Sequence, residues 1–575
     1  MGSDDAPRAG GDDRTPARPA GGSSEAPASA EELPVGGMMP TATPPDPAGM
    51  LQMAVELLSP AEAARQLPWM LSELTKIATG QSELEYAPKD ARFKDPTWTA
   101  NPAFRGLGLS YRLFEEWAGR MAAAVDSSSW EQSARASYLA NIMTAALSPT
   151  NFLPTNPAAL KRAFETGGLS LVSGAQNMLR DLASGGMPKM VNRETMKVGE
   201  QLACTPGAVV YRDDMFELLE YAPQTPTVRS RPLLMVPPEI NRYYVLDLAP
   251  ERSMAEYAVQ NGITTFMLSW RNPVEELGHG GWGFDDYVAS VLRAVDIVKN
   301  ISHSETINML GLCAGGMTNT LALGVLAAKG DNSVNSATYL VTMLSNATPN
   351  VVGMLTTEDA EKALAQAAGA NKIIPGSAMK STFAWLRPND LVFNYAVSGW
   401  LLGEEPPAFD VLAWNDDPTA VPARFSADTS RIAMAGSAAV PGGITSQGTP
   451  IDLAKVTCDS FHVAGFTDHI TPWRTCYNLT QMLGGDKVVA VVKSGHIQSF
   501  VNPAKTAKYG YWNAPAGGPD PDAWQAGAEW HGGSWWPQWI DWLLARSGEE
   551  KKARAGLGNR KYPPIGTAPG TYVLE

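Results

Sequence analysis

The fold follows from the stretch Ile307-Asn-Met-Leu-Gly-Leu-Cys-Ala-Gly-Gly316. It lies where an apolar run, Thr306–Leu312, predicts a buried strand and Gly315–Lys329 predicts a helix. Between them, Gly-Leu-Cys-Ala-Gly matches the pattern in which a nucleophile stands on a sharp strand-to-helix turn, here with cysteine instead of serine. Because larger side chains at 311 and 315 would collide with the neighbouring strand and helix, glycine at both positions favours this turn.

Cys313 is therefore the candidate nucleophile. The turn lifts its sulfur to the edge of the sheet, at the positive end of the following helix, which favours a thiolate. The backbone N–H of Ala314 then points to where an oxyanion would form. The alternative is a small buried cysteine in a tight turn without a chemical role.

Strands and helices alternate on both sides of this turn. An amphipathic helix at Phe284–Lys299 separates two of the strands. This alternation predicts a mostly parallel sheet with helices on both faces. Together with the turn at Cys313, it predicts an α/β-hydrolase fold. The other predicted elements are strands at Pro232–Val236, Ile263–Trp270, Ala337–Leu344, Ser460–Phe466 and Lys487–Lys493 and a helix at Pro472–Leu483.

The chain divides into three predicted parts. Residues 1–48 are rich in proline, alanine, glycine and serine and lack aromatic residues, so they predict a disordered tail. Residues 49–190 show helical spacing, beginning at Leu51, Val55 and Leu58, and predict an N-terminal helical domain that packs on or dimerises the rest. Residues 191–575 predict the catalytic domain. Its aromatic-rich insertion at about 345–443 is too long for a simple loop and predicts a cap.

Composition and charge exclude several classes of protein. The 575 residues are 44% hydrophobic and 18% charged, which excludes wholesale disorder. A formal net charge of −14 gives no overall positive field to attract nucleic acid. Four cysteines without a C-x-x-C pair exclude a disulfide scaffold, and we expect no metal. We find neither a secretory signal nor an apolar run of transmembrane length, and we expect a cytoplasmic protein.

A cysteine nucleophile needs a base and an acid, in the chain order nucleophile, acid, histidine for this fold. His496 follows one predicted strand directly, where a loop can carry its imidazole over the sheet edge, and Asp468 follows the preceding strand. His496 is thus the predicted base, and Asp468 fixes its tautomer. His469 is the rival base, and a supporting role for it stays open. The histidines predicted to be structural or at the surface are His279, His303, His462 and His531.

A second oxyanion donor is expected in the loop after an earlier strand. Pro237-Pro-Glu-Ile-Asn241 follows the predicted strand Pro232–Val236, and the backbone N–H of Ile240 is the candidate. The alternative is a rigid proline turn that serves packing only.

Further motifs extend from about residue 90 to the C-terminus and are densest after residue 230. They are Pro232-Leu-Leu-Met-Val-Pro-Pro-Glu-Ile-Asn-Arg-Tyr-Tyr-Val-Leu-Asp-Leu248, Ser269-Trp-Arg-Asn-Pro273, Leu386-Arg-Pro-Asn-Asp390, Phe409-Asp-Val-Leu-Ala-Trp-Asn415, Asp468-His-Ile-Thr-Pro-Trp473, Ser494-Gly-His-Ile-Gln498, Gly533-Ser-Trp-Trp536 and Ala568-Pro-Gly-Thr-Tyr572. With these motifs and the turn at Cys313, the chain resembles polyhydroxyalkanoate synthases of the single-subunit type. So many motifs in one order make chance similarity improbable.

This resemblance implies a catalytic triad of cysteine, aspartate and histidine, which falls on Cys313, Asp468 and His496. It implies (R)-3-hydroxyacyl-coenzyme A (CoA) as substrate, with growing polyester and free CoA as products and no cofactor. It also implies a homodimer associated with polyhydroxyalkanoate granules in the cytoplasm. Two alternatives stay open: a cysteine-dependent thioesterase or lactone hydrolase of the same fold, and a non-enzymatic granule-associated protein.

Residues that would contact the substrate are less sharply defined. Arg242, Arg387 and Trp414 lie in motifs of the family and are candidates for contact with the substrate or CoA, although either arginine could belong to a structural ion pair. The stretch Ala427–Gly448 is poor in bulky residues, and together with the motifs after Asp468 it favours medium-chain over short-chain acyl groups.

Two aromatic regions have alternative interpretations. The cap could shield an acyl-enzyme from water, or its aromatic residues could form an ordinary hydrophobic core. The C-terminal run Trp535–Leu544 is expected to be a core-closing helix rather than a granule-binding surface.

Overall fold

The structure is a computed structural model that describes residues 59–87, 90–125, 130–345, 349–355, 358–434 and 436–575. The predicted tail at 1–48 and the helical spacing at Leu51–Leu58 lie outside these residues. No helix among the described residues is long and apolar enough to cross a membrane.

Helices form the first part of the described chain. They are Pro60–Ala78 (α1), Thr97–Ala100 (α2), Pro102–Ala123 (α3), Trp130–Ala146 (α4), Pro157–Glu165 (α5) and Leu169–Ala183 (α6). Proline stands in the first turn of α1, α3 and α5, where its missing N–H costs no helical hydrogen bond. The side chains of Ser59, Asn101 and Asn156 cap these three helices by accepting from backbone N–H groups. The helical character predicted for this part of the sequence is thus observed from residue 60 to residue 183.

One sheet of eleven strands runs through the rest of the described chain. The strands are Gly207–Arg212 (β1), Phe216–Tyr221 (β2), Leu233–Val236 (β3), Thr265–Trp270 (β4), Ile307–Leu312 (β5), Val334–Leu340 (β6), Asp459–Gly465 (β7), Lys487–Val492 (β8), Gly510–Pro515 (β9), Glu529–Gly532 (β10) and Gly566–Thr567 (β11). Their order across the sheet is β10-β9-β8-β7-β6-β5-β3-β4-β2-β1-β11. The central strands β3 to β8 pair in parallel, which confirms the predicted mostly parallel sheet.

The antiparallel edges of this sheet are absent from the sequence prediction. Strand β2 is buried along its whole length although it contains Glu217 and Glu220. Arg212 pairs with Glu217, and Arg554 pairs with Glu220. Because these two glutamates interrupt the apolar pattern, the strand cannot be recognised from the sequence before their arginine partners are known.

Strand β6 also differs from the prediction of a strand at Ala337–Leu344. It ends at Leu340 because Val341 has a φ of +45°, which turns the chain out of the extended conformation. Met343 and Leu344 stay buried beyond the end of the strand. The apolar run is therefore longer than the strand, because the residues that follow the strand are also buried.

Thirteen more helices lie in the described part of the chain after β2. They are Met254–Gln260 (α7), Phe284–Ser302 (α8), Ala314–Ala328 (α9), Val351–Leu355 (α10), Glu358–Gly369 (α11), Gly376–Trp385 (α12), Asn394–Ala396 (α13), Asp410–Asn415 (α14), Ala423–Met434 (α15), Trp473–Met482 (α16), His496–Phe500 (α17), Pro521–Gly527 (α18) and Trp536–Leu544 (α19). Helices α8 and α9 belong to the apolar core on one face of the sheet, and α7 and α19 belong to the core on the other. In α19 and just before it, Trp535, Trp536 and Trp539 are all buried, so the expected core-closing helix is present.

The insertion between β6 and β7 is largely helical. It holds α10 to α15, two π-helical segments at Pro388–Phe393 and Val397–Leu401, and a hairpin of Ile444–Ser446 with Thr449–Ile451. Its Trp385 is buried in a cluster with Ile142 of α4. The insertion also meets α6 closely, because a Cβ on Gly174 would lie 2.0 Å from the Trp400 carbonyl oxygen.

Candidate active site

Cys313 lies on the turn between β5 and α9, with φ +53° and ψ −116°. This positive φ is strained for a residue with a side chain, and such strain is often found at functional sites. A Cβ on Gly311 would lie 2.6 Å from the Cα of Gly316, and a Cβ on Gly315 would lie 2.4 Å from the Pro237 carbonyl oxygen. Both glycines are therefore required by close backbone contact, as the sequence predicts. The Cys313 side chain remains partly exposed at the edge of the sheet.

His496 and Asp468 form a hydrogen-bonded pair. The Nδ1 atom of His496 lies 2.6 Å from Oδ2 of Asp468. Asp468 lies in the turn after β7, as expected, whereas His496 begins the short helix α17 and does not lie in a loop. The Asp468 side chain is fully buried, and 14% of the His496 side chain is exposed.

Four groups donate or share hydrogen bonds with the Asp468 carboxylate. The backbone N–H groups of Ile470 and Thr471 donate to Oδ1 at 2.8 and 3.0 Å, and the Thr471 hydroxyl donates to Oδ2 at 2.8 Å. His496 supplies the fourth contact. Burial raises the pKa of Asp468, but the His496 charge and these hydrogen bonds outweigh it and lower the pKa below its usual value. Asp468 is therefore held as a carboxylate.

The pKa of His496 is raised to about 10. Burial acts in the opposite direction, but it is outweighed by the charge of Asp468, by the hydrogen bond to Asp468 and by a side-chain hydrogen bond with Cys313. Because β5, β7 and β8 are parallel, Cys313 lies at the same edge of the sheet as this pair. The structure thus brings Cys313, His496 and Asp468 together in the arrangement of a nucleophile, a base and an orienting acid.

The two backbone N–H groups expected to stabilise an oxyanion lie on adjoining segments. Ala314 is the first residue of α9, and Ile240 lies in the turn that follows β3. The Pro237 carbonyl of that turn contacts Gly315 and accepts a hydrogen bond from Nε1 of Trp270 at 3.0 Å. In the described part of the chain neither N–H has a hydrogen-bond acceptor, so both are free to donate.

Comparison with known proteins gives the family. A model described as "Poly-beta-hydroxybutyrate polymerase (PhaC) N-terminus" matches residues 89–258, and a model of the alpha/beta hydrolase fold matches residues 244–503. Poly(3-hydroxyalkanoate) polymerase 1 of Ectopseudomonas oleovorans is 41% identical over 92% of this chain and 93% of its own length. The chain belongs to the poly(3-hydroxyalkanoate) polymerase family. The poly(3-hydroxyalkanoate) polymerase subunit PhaC of Cupriavidus necator is 38% identical over 86% of this chain and 85% of its own length.

Family membership and the sheet topology together confirm the predicted α/β-hydrolase fold. Among the residues that the structure describes, no group of three or more histidine, cysteine, aspartate or glutamate side chains is placed to hold a metal ion.

Two of the three candidates for contact with the substrate or CoA are engaged within the protein. Arg242 is buried, donates to the backbone carbonyls of Tyr572 and Glu575, and lies 3.6 Å from the Asp417 carboxylate. Trp414 is also buried, and its Nε1 donates to the Arg242 carbonyl at 2.9 Å. For Arg242, the structure favours the alternative of a structural ion pair, because its donors are used by groups near the C-terminus.

Arg387 is the exposed candidate. It pairs with Asp390 at 2.7 Å, and about half of each side chain is exposed. Burial lowers the pKa of His469, the charge of Asp468 raises it and the charge of Arg387 lowers it, so this guanidinium acts electrostatically on the loop of Asp468. The His469 carbonyl accepts a hydrogen bond from the N–H of Val351 at the start of α10. The loop that holds Asp468 is therefore linked directly to the insertion.

The other histidines have structural surroundings. His462 is buried, stacks on Tyr339 at 4.9 Å between ring centres, and has its pKa lowered to about 3 by burial. His279 is buried against Trp282, and its Nδ1 accepts from the N–H of Val274. His303 ends α8 with a left-handed backbone, and His531 lies on β10.

Sequence reasoning missed Thr471, Glu239 and Thr318. Thr471 supports Asp468 and lies 3.2 Å from Nδ1 of His496. Its position three residues after Asp468 is a detectable signal, since aspartate at a turn commonly accepts from groups two or three residues ahead. The contact between Glu239 and Thr318 joins segments 79 residues apart and leaves no such signal.

Proposed function

We propose that this protein joins (R)-3-hydroxyacyl groups from CoA thioesters into a polyhydroxyalkanoate polyester and releases CoA. One observation carries the proposal: the parallel strands β5, β7 and β8 end at one edge of the sheet, where Cys313 stands on its strained turn and His496 is bonded to Asp468. The chain that holds this site is 41% identical to a poly(3-hydroxyalkanoate) polymerase over 92% of its length.

The first step forms an acyl-enzyme. The thiolate of Cys313 attacks the thioester carbonyl carbon, and the backbone N–H groups of Ala314 and Ile240 donate to the oxyanion that develops. Collapse of this intermediate breaks the bond to CoA, and the CoA sulfur takes a proton from the His496 imidazolium. Asp468 keeps Nδ1 of His496 occupied, so that Nε2 handles the proton.

The second step extends the chain. Neutral His496 accepts the proton of the 3-hydroxyl group on the next acyl-CoA, and the oxygen attacks the acyl group on Cys313. A new ester bond forms and the Cys313 thiolate leaves. The lengthened acyl-CoA then returns to the first step. A thiolate is a better leaving group than the alkoxide of a serine, which explains the use of cysteine in a repeated transfer.

We assign Arg387 as the cation that meets a phosphate of CoA, because it is exposed and lies near the acid loop. Coverage of the site by the cap would protect the acyl-enzyme from water. Trp385 and Trp414 serve packing, however, so this protection would come from the fold of the insertion and not from free aromatic side chains. The acyl chain is proposed to be of medium length.

We divide the chain into a tail (1–48), a helical domain (49–190) and a catalytic domain (191–575) with a cap at about 345–443. Helix α6 supports a role for the helical domain at a polyester granule in the cytoplasm. Its buried face toward the cap carries small and polar residues, whereas its outer face is apolar. Buried are Ser170, Gly174, Asn177 and Asp181, and exposed are Leu169, Val172, Leu179 and Leu182. An apolar outer face of this kind suits an apolar polymer surface.

Changing Val172 and Leu179 together to serine is expected to reduce sedimentation with polyester granules while CoA release in solution is kept. Equal sedimentation of both proteins would contradict this surface. A homodimer is also proposed, and mass photometry of the wild-type protein tests it by particle mass.

The experiment for the function measures CoA release from (R)-3-hydroxybutyryl-CoA and (R)-3-hydroxyoctanoyl-CoA, together with the chain length of the product. We expect high polymer, faster release from the octanoyl substrate, and no release by C313A. Free hydroxy acid as the product would instead show a hydrolase of the same fold. No release from either substrate would contradict the proposed enzyme.

A further inference from the structure

A second buried carboxyl lies beside the candidate oxyanion site. Glu239 is 3% exposed and directly precedes Ile240 in the turn after β3. Its Oε1 accepts a hydrogen bond from the Thr318 hydroxyl at 2.5 Å. Its Oε2 has no hydrogen-bond partner in the described part of the chain. Glu239 is thus a buried acid with a single polar partner.

The bond between Glu239 and Thr318 joins the oxyanion turn to the helix of the nucleophile. Thr318 lies one turn into α9, and its hydroxyl is also 3.3 Å from the carbonyl oxygen of Ala314. Ile240 directly follows Glu239, and Ala314 lies one helical turn before Thr318. The backbone N–H groups of Ile240 and Ala314 are the two proposed oxyanion donors.

The surroundings of Glu239 favour the protonated form. Burial raises the pKa of Glu239 to about 7, because the Thr318 hydrogen bond offsets only part of the cost of desolvation. The titratable group that faces it from α8 is the buried phenol of Tyr287. No cation among the described residues contributes to its pKa. A neutral acid can donate as well as accept, which suits a fixed contact in the core.

Other contacts hold the turn on both sides of Glu239. Trp270 fixes the Pro237 carbonyl at the start of the turn, and Asn241 forms a backbone bridge with Pro418 at its end. The Ile240 side chain packs against the core. Glu239 adds the side-chain contact immediately before Ile240 that reaches the helix of the nucleophile.

We propose that Glu239 is a positioning residue, whose buried contact with Thr318 aligns the Ile240 N–H with the Ala314 N–H for the oxyanion. This inference rests on the proposed function. It adds that the two donors are linked through side chains, so that loss of the link slows attack on a thioester without removing the nucleophile. An oxyanion donor misplaced by about 1 Å is expected to slow such a step by roughly 10- to 100-fold.

The test compares two reactions of Cys313 in the full chain. Single-turnover CoA release from (R)-3-hydroxyoctanoyl-CoA needs the oxyanion donors, whereas alkylation by iodoacetamide at Cys313 forms no oxyanion. We expect T318V and E239L to slow CoA release by about 10- to 100-fold with little change in KM and with unchanged alkylation. T318S keeps the hydroxyl and E239Q keeps both an acceptor and a donor, so both are expected to release CoA at nearly the wild-type rate.

Two results would overturn the inference. If T318V and E239L slow CoA release and alkylation equally, the residues only support the local fold. If neither variant slows CoA release, the contact has no role in alignment. A wild-type protein that is alkylated at Cys313 but releases no CoA would contradict the proposed function itself, and the inference would fall with it.

Discussion

Two loops on opposite sides of β5 each place a buried carboxyl near Cys313, and the two carboxyls differ in protonation. Asp468, after β7, is bonded by His496, by the Thr471 hydroxyl and by two backbone N–H groups, and its pKa is lowered. Glu239, after β3, has one partner, and its pKa is raised to about 7. Both side chains are buried, so the charge of His496 and the larger number of donors at Asp468 decide which acid is ionised.

The largest effect is expected for D468N. The amide removes the negative charge that holds His496, and CoA release should fall by about 10³- to 10⁴-fold. Because the Asp468 carboxylate raises the pKa of His496, its loss should lower that pKa. A pH–rate profile and titration of His496 by NMR check both expectations. An unchanged His496 titration in D468N would show that the carboxylate does not set the charge of the base.

The loops that hold the proposed catalytic residues could be located from the sequence because each follows a strand. Parallel strands bring their carboxyl ends to one edge of the sheet, so Cys313, Asp468 and His496 could be placed together before any coordinates were known. The local turn glycines at 311 and 315 strengthened the assignment of Cys313. The C-terminal partners of Arg242 and Glu217 could not be found in this way. They lie more than 300 residues away, and their contacts depend on how the end of the chain packs.

Helix α6 shows a second limit of sequence patterns. Periodicity predicts a helix there, and the ordinary expectation is that its apolar stripe faces the core. The structure places the stripe outward, because Gly174 and Asn177 make the close contacts with the insertion. Which face is buried depends on the partner surface, and periodicity carries no information about that surface.

The next effect is a loss of stability on substitution of Arg242, which follows the turn that holds Glu239. R242M removes a buried guanidinium that bonds two C-terminal carbonyls, while Asp417 keeps Arg193 and the Tyr244 hydroxyl as partners. We expect a loss of about 3 kcal/mol in the free energy of unfolding, measured by urea denaturation, because two charge-assisted hydrogen bonds are lost. R387M removes an exposed pair and serves as the matched control, with a loss below about 1 kcal/mol. Equal losses in the two variants would contradict the assignment of Arg242 to the core.

A smaller effect is expected for T471V, which removes one of the four donors to Asp468. The two backbone N–H groups and His496 keep the carboxylate ionised. Loss of one hydrogen bond to a charged group costs about 1.5–3 kcal/mol, so CoA release should fall by roughly 10- to 150-fold and stay above that of D468N. T471S, which keeps the hydroxyl, should retain the wild-type rate. If CoA release falls as far in T471V as in D468N, the donors to Asp468 do not act independently.

The smallest effect is a pH-dependent gain in stability for E239Q. Since the pKa of Glu239 is raised from 4.5 to about 7 on folding, the folded state binds more protons between these values and wild-type stability falls as pH rises through this range. E239Q cannot ionise, so its melting temperature should match the wild type near pH 4.5 and exceed it slightly at pH 8. His496 acts in the same direction over a higher pH range: its raised pKa gives stability that is full below about 6.5 and is lost as pH rises toward about 10. An E239Q curve parallel to that of the wild type would contradict the protonated state of Glu239.

The central claim is that Cys313 carries the growing chain, and mass spectrometry of the acyl-enzyme tests it most directly. The wild-type protein is mixed with (R)-3-hydroxyoctanoyl-CoA, quenched in acid and digested. We expect hydroxyacyl groups on the peptide that contains Cys313, none on Cys204, Cys458 or Cys476, and no adduct in C313A. Acyl groups on another cysteine, or polymer formation by C313A, would contradict it.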